Sequence, residues 1–105
     1  MVKKILNATG LPYRRGRFQS PPKGSYIVYM DDISTDGPDG RVQLFTHSPT
    51  LELYEPLPDD AAEDAVEAAI SAEGLQWTKQ DRYWLTSEQM YQVIYEFEYT
   101  EKRRI

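Results

Sequence analysis

One segment of this chain has a helical hydrophobic period, and the segments on both sides of it do not. Residues 59–73 place apolar side chains at the i, i+3, i+4, i+7 and i+8 positions, namely Ala62, Ala65, Val66, Ala69 and Ile70. Acidic residues crowd the start of the segment, where the helix dipole favours anions, and Gly74 follows its end. The pattern predicts one amphipathic helix whose alanine face packs closely against a sheet.

The segments around this helix have the composition and alternation of β-strands. Tyr, Val, Ile and Phe are concentrated in runs that are separated by Gly, Pro and Asp. The runs are residues 25–30, 41–46, 51–54, 75–78, 83–85 and 88–99, of which the last is the longest. Residues 41–46 and 51–54 form either two strands or one strand bent near Ser48 and Pro49. Residues 31–40 are rich in Asp and Gly, and they predict a long hairpin tip.

The N-terminal region adds two minor elements. Residues 2–8 predict a short helix that ends at Gly10, and residues 13–24 predict an extended basic connection. The order of elements predicts an α+β fold in which the main helix packs on one face of an antiparallel sheet of about four to five strands. We expect residues 1–105 to form a single domain with one core.

Charge is distributed unevenly along the chain. Residues 1–24 carry six basic and no acidic residues, whereas all 17 carboxylates lie in residues 25–101 with only three basic residues. Lys102, Arg103 and Arg104 make the tail basic again. This asymmetry indicates either head-to-tail contact between copies or a basic patch that binds an anionic partner. A solvated mixed surface explains the same pattern equally well.

Composition restricts the available chemistry. The chain has no cysteine, and its single histidine, His47, is more typical of a strand end than of a catalytic triad or metal site. Asp31, Asp32, Asp36 and Asp39 do not have the spacing of a calcium loop and fit turn-forming residues better. Glycine spacing matches no phosphate-binding loop, and Glu96 and Glu98 resemble solvated edge charges more than an acid–base pair. We therefore expect no catalytic residues, no cofactor and no metal.

The basic connection contains the best candidate for a binding surface. Arg14, Arg15 and Arg17 alternate with aromatic residues up to Phe18, a composition found both in protein interfaces and in single-strand nucleic-acid binding. We favour a protein interface, and we expect no sequence-specific nucleic-acid binding. No segment has the apolar length of a signal peptide or of a membrane span, so we expect synthesis in the cytoplasm and no membrane partner.

Four short segments resemble a known family. They are residues 7–13 (NATGLPY), 21–29 (beginning PP and ending YIVY), 51–54 (LELY) and 91–97 (YQVIYEF). In order and spacing they are similar to the tail-completion or tail-terminator proteins of long-tailed phages, which act at the head–tail connection. The resemblance extends over nearly the whole chain.

The resemblance implies a non-enzymatic subunit that forms a ring, commonly a hexamer. Its partners would be copies of itself, the tail tube and the head-connector proteins, and DNA would pass through the ring. It would be in the host cytoplasm during assembly and then in the virion, at the tail end near the head. The resemblance places Arg14, Arg15, Arg17 and Phe18 near interfaces, together with the hairpin residues Asp31, Asp32, Asp36 and Asp39.

Two other functions remain open from the residues alone. A small acidic inhibitor or immunity-type protein would use its carboxylates to occupy a basic site on a partner enzyme. Charge reversals in residues 59–67 would then abolish function. A small hydrolase centred on His47 is the other alternative, and it would lose activity on replacement of that residue.

Overall fold

The computed structural model describes residues 1–36 and 42–104, which form two helices and seven strands. The helices are α1 (Val2–Thr9) and α2 (Asp60–Ser71). The strands are β1 (Tyr13–Arg15), β2 (Tyr26–Asp36), β3 (Val42–Glu55), β4 (Trp77–Lys79), β5 (Tyr83–Leu85), β6 (Met90–Phe97) and β7 (Tyr99–Arg104). In the described part of the chain, no helix is long and apolar enough to cross a membrane.

The predicted α+β class is confirmed, including the main helix on one sheet face and the short N-terminal helix. The strand number was underestimated, because seven described strands form one mixed sheet. The central order is β1-β2-β3-β6-β4, with β5 on β6 and β7 on β3. The residues assigned to a basic connection include β1, which pairs in parallel with β2, whereas the other pairs are antiparallel. Its three-residue length leaves too little alternation to identify it from sequence.

The hairpin differs most from expectation. Residues 31–36, predicted as turn, continue β2 and pair with β3 from Asp31↔Pro49 to Asp36↔Leu44. Turn propensity was overridden here because β3 offers a continuous partner. Residues 42–55 form one strand rather than two, and β3, with 14 residues, is the longest strand. Asp39 lies outside the described residues.

The segment predicted as the longest strand is divided at Glu98, although β6 and β7 keep one register on β3. Thr50↔Glu96 and His47↔Tyr99 belong to the same antiparallel ladder, which places Pro49 opposite Phe97. Proline has no N–H to donate to a ladder. The break between β6 and β7 is therefore the local consequence of Pro49.

The core lies between the two helices and one sheet face. Ile5 and Leu6 of α1 and Val66 and Ile70 of α2 are fully or almost fully buried. They pack in one cluster with sheet residues Ile27, Tyr29, Leu51, Leu53, Val93, Tyr95 and Phe97. The side chain of Asp59 caps α2 by accepting a hydrogen bond from the Ala62 N–H at 3.0 Å. Gly10 ends α1 at φ 74°, a conformation that glycine adopts without strain.

The helices cover only one end of the sheet. On the covered face of β2, Ile27 and Tyr29 are buried, but Ile33 farther along is 49% exposed. We call the uncovered end the arm; it comprises residues 31–36 of β2, residues 42–48 of β3, and β7. The helix-covered remainder is called the body. The described structure is elongated, with extents of 50 × 27 × 21 Å.

Candidate interface: the arm and the basic segment

The predicted basic residues lie at the edge of the sheet that is formed by β1. Arg14 and Arg15 belong to β1 and are exposed, and Arg15 pairs with Tyr29 of β2. Arg17 is exposed in the loop that follows. Phe18 is half-buried and packs edge-on against Tyr26 at 5.2 Å between ring centroids. The basic residues are thus held to the sheet by the pairing of β1 with β2 and, in the loop after β1, by the contact of Phe18 with Tyr26.

A shallow recess forms beside this anchor. It has a volume of about 500 Å³ and is lined by Arg14, Arg17, Phe18, Gln19 and Ser20. The Arg14 guanidinium lies over the Phe18 ring, 5.8 Å from its centroid. This recess joins positive charge to an aromatic surface, as expected for a contact with an acidic partner.

The two predicted aspartates whose side chains the structure describes, Asp31 and Asp32, do not converge on one point. Asp32 is exposed, and the alternation of β2 puts it on the opposite sheet face from Asp31. Asp36 is the last residue of β2. The structure therefore directs the side chains of Asp31 and Asp32 to opposite faces of the sheet. Within residues 1–36 and 42–104, no group of three or more potential ligands could hold a metal ion.

Asp31 belongs to a buried ionic cluster at the root of the arm. His47 is 6% exposed, and its Nδ1 lies 2.8 Å from Oδ2 of Asp31. Its Nε2 lies 3.2 Å from Oε1 of Glu101 on β7. Because both ring nitrogens face carboxylate oxygens, the arrangement suits an imidazolium that donates to both. The cluster ties together β2, β3 and β7.

The surroundings of His47 complete this cluster. The Tyr99 ring stacks on the imidazole, with centroids 4.5 Å apart and planes 6° apart. The hydrogen bond with His47, followed by that with Arg103, lowers the pKa of Glu101. Oδ1 of Asp31 is buried and has no hydrogen-bond partner among the described residues. The sequence did not indicate this cluster. The alternation of Tyr99, Glu101 and Arg103 is the signal that could have extended the predicted strand of residues 88–99 as far as Glu101.

This geometry bears on the hydrolase alternative. Both nitrogens of His47 are directed at carboxylates, and Ser48 projects from the other sheet face because neighbouring side chains alternate. Ser48 and His47 therefore lack the nucleophile–base contact of a hydrolytic triad. Glu96 and Glu98, the other pair considered, are both exposed.

A second ionic cluster, in which Glu55 and Glu63 are buried, joins α2 to the strands of the body. Arg82 donates to Glu63 through Nε at 3.0 Å and through Nη2 at 2.7 Å, and its Nη2 also donates to Asp60 at 2.7 Å. Lys79 forms ion pairs with Glu63 at 2.8 Å and with Glu67 at 2.7 Å. Several carboxylates of the acidic helix are thus paired within the chain itself.

Glu55 is the least satisfied member of this second cluster. It is fully buried, and its nearest cation, Nε of Arg82, is 3.3 Å away without hydrogen-bond geometry. Burial, followed by the neighbouring Glu63 carboxyl group, raises the pKa of Glu55 to about 7. Burial alone would also raise the pKa of Glu63, but hydrogen bonds from Lys79 and Arg82 lower it. We therefore assign the proton of this pair to Glu55.

The comparisons with known proteins identify a shared fold. No protein-family model matches the chain, and no curated protein matches its sequence. The structure is similar to a chain in the solved "Virion of native gene transfer agent (GTA) particle", with a TM-score of 0.57 and 15% sequence identity. The match covers 90% of this chain and 81% of that chain. The likeness therefore concerns the fold of most of this chain.

Proposed function

We propose that this chain is a non-enzymatic structural subunit of a phage or prophage virion, of the tail-terminator or tail-completion type. It forms a ring, with a hexamer as the expected size, at the junction of head and tail. Its partners are copies of itself, the tail tube and the head-connector proteins. The observation that carries the proposal is the fold similarity to a chain of a virion particle over 90% of this chain.

The shape and charge of the molecule support this role. A ring subunit needs two different surfaces that meet head to tail. The arm extends beyond the helix-covered body, and the exposed residues Arg14, Arg15 and Arg17 lie at the β1 edge. These features supply two separate contact surfaces.

The acidic inhibitor receives less support from the internal ion pairs. Asp60, Glu63 and Glu67 on α2 contact Lys79 or Arg82 of the same chain. Carboxylates that are paired in this way must lose those partners before they can occupy a basic site on an enzyme. The helix that the inhibitor alternative depends on is therefore committed largely to the fold.

The first experiment measures assembly directly. Light scattering at low and high protein concentration gives the mass, and electron microscopy of any oligomer gives its symmetry. We expect a closed ring, in the free protein or on tail tubes mixed with it. A protein that is monomeric at all concentrations and does not bind tail tubes would contradict the proposal.

A matched pair of variants tests the predicted basic interface. Arg14→Glu with Arg17→Glu reverses two charges in the recess beside Phe18, and Lys3→Glu with Lys23→Glu reverses two exposed charges elsewhere. We expect the first variant to lose assembly or binding to tail tubes and the second to keep both. Equal behaviour of the two variants would show that net charge, rather than this surface, matters.

A further inference from the structure

The arm has two free strand edges. β1 covers β2 only from Ile27 to Tyr29, and no described strand pairs with the outer side of β2 beyond that point. On the other side, β3 is the only described strand that pairs with β7. Free edges of this kind join other strands readily unless they are blocked. The arm thus resembles a three-stranded ribbon that is open on both sides.

The backbone hydrogen bonds show which amides these edges present. The Ile27 N–H donates to Pro12, and the Tyr29 carbonyl accepts from Gly16, so odd-numbered residues of β2 point towards the β1 side. The same alternation leaves the peptide groups of Asp31, Ile33 and Thr35 directed outward. Odd-numbered residues of β3 direct their peptide groups at β6 and β7, and on β7 they pair with the odd-numbered Tyr99 and Glu101. The peptide groups of the even-numbered Thr100 and Lys102 are therefore directed outward. The Gln80 N–H donates to the Ile94 carbonyl, which confirms this phase for β6.

The two edges have opposite charge. Asp32 on β2 and Lys102 on β7 are both exposed, and the sheet alternation puts both on the face that the helices do not cover. Two β2 edges would bring aspartates together, and two β7 edges would bring basic residues together. Only unlike edges combine strand pairing with charge attraction.

We propose that the β7 edge of one copy pairs with the β2 edge of the next copy, so that the sheet continues across the interface. This inference rests on the proposed function, because it names the contact through which the ring assembles. β2 and β7 are both antiparallel to β3 and therefore run in the same direction. A rotation axis along the arm keeps this direction, so successive copies join through parallel strands and can close into a ring.

The absence of cysteine makes a direct test possible. One variant carries Ser34→Cys and Thr100→Cys, and a second carries Ser34→Cys and Lys102→Cys to allow for the unknown register. Within one chain, β3 separates β2 from β7, so the two positions are two strand spacings, about 10 Å, apart. A disulfide requires Cα atoms closer than about 7 Å. Oxidation therefore joins the two positions only between copies.

We expect covalent oligomers in which mass spectrometry finds residue 34 linked to residue 100 or 102. The matched control, Ser34→Cys with Thr78→Cys, uses an exposed residue of β4 and should give no such link. Links of residue 34 only to itself, or no link between the two edges in either variant, would overturn the proposal. Circular dichroism before oxidation verifies that each variant is folded.

The same experiment separates this inference from the proposed function. Rings seen by electron microscopy without a disulfide between the two edges would contradict the proposed edge contact but not the proposed ring. Linked but open filaments would support the edge contact and contradict ring closure.

Charge reversal gives an independent test of the contact. Asp32→Lys should weaken self-association several-fold, and Lys102→Asp in the same chain should restore much of it. Raising the salt concentration should weaken the wild-type oligomer, because the charges are exposed and screened. No recovery in the double variant would contradict the proposed pairing of these two edges.

Discussion

The body and the arm are two ends of one sheet that are stabilised in different ways. In the body, α1 and α2 bury Leu51, Leu53 and Val93 completely. Farther along the arm, the same face of the described sheet has no helix over it, and Ile33 remains 49% exposed. There, an ionic cluster centred on the buried His47 takes the place of a hydrophobic core. The arm should therefore depend on a few polar contacts, whereas the body depends on distributed apolar packing.

The largest expected effect comes from His47→Ala. Removal of the imidazole leaves the buried Asp31 carboxylate without its partner, which costs about 3–5 kcal/mol. We expect hydrogen exchange to accelerate at Phe45 and Glu101, a register pair of the arm. Exchange at Leu51 and Tyr95, the corresponding register pair of the body, should change much less.

A double variant isolates the cause of this effect. If the stranded carboxylate dominates, Asp31→Ala combined with His47→Ala should be more stable than His47→Ala alone. Equal acceleration of exchange in arm and body after His47→Ala would mean that the two regions unfold as one unit. The contrast between them would then be wrong.

The second-largest expected effect is a loss of stability caused by a substitution in the body. Ala69 is 6% exposed and belongs to the core cluster, whereas the neighbouring Ala68 is exposed. Ala69→Leu should overpack the contact of helix and sheet and lower the free energy of unfolding by about 1–3 kcal/mol. Chemical denaturation measures it, with Ala68→Leu as the matched control. An equally mild effect of both variants would indicate that this core has room for a larger side chain.

These regions also differ in how far the sequence predicted them. The helix period at residues 59–73 and the strand composition of residues 88–99 identified the main helix and strand β6 of the body. Local signals failed in the arm, because Asp31 and Asp32 have turn propensity but take strand conformation opposite β3. Strand pairing over this distance is a tertiary effect that composition does not encode.

The candidate site shows the same limit. One recess in the structure is lined by Arg14, Arg17 and Phe18, which are close together in the sequence and were predicted to lie near interfaces. The His47 cluster joins residues 31, 47 and 101, which are close only after three strands have paired. No short motif contains all three residues. The His47 cluster is therefore evident only once the pairing register of the three strands is known.

The smallest effect concerns Glu55, which tests whether the body also contains a costly polar group. Its pKa is raised to about 7 by burial and by Glu63, so the folded state favours the protonated form. The stability that depends on protonated Glu55 is fully present below the unfolded-state pKa of this group, and it is lost as the pH rises through the folded-state pKa. Glu55→Gln removes this loss while keeping a hydrogen-bond donor towards Glu63. The variant should therefore gain stability over wild type between pH 5 and pH 8, on the order of 1 kcal/mol.

Thermal unfolding across this pH range measures the difference between the two proteins. Glu88→Gln, at an exposed position, corrects for the loss of one carboxyl group. The opposite shift of Glu63, whose pKa is lowered, remains in both proteins and therefore largely cancels. A constant difference in melting temperature at all pH values would mean that Glu55 is not the protonated partner. In that case Glu55 would be an ionised group of the body with a compensating partner, as His47 is at the root of the arm.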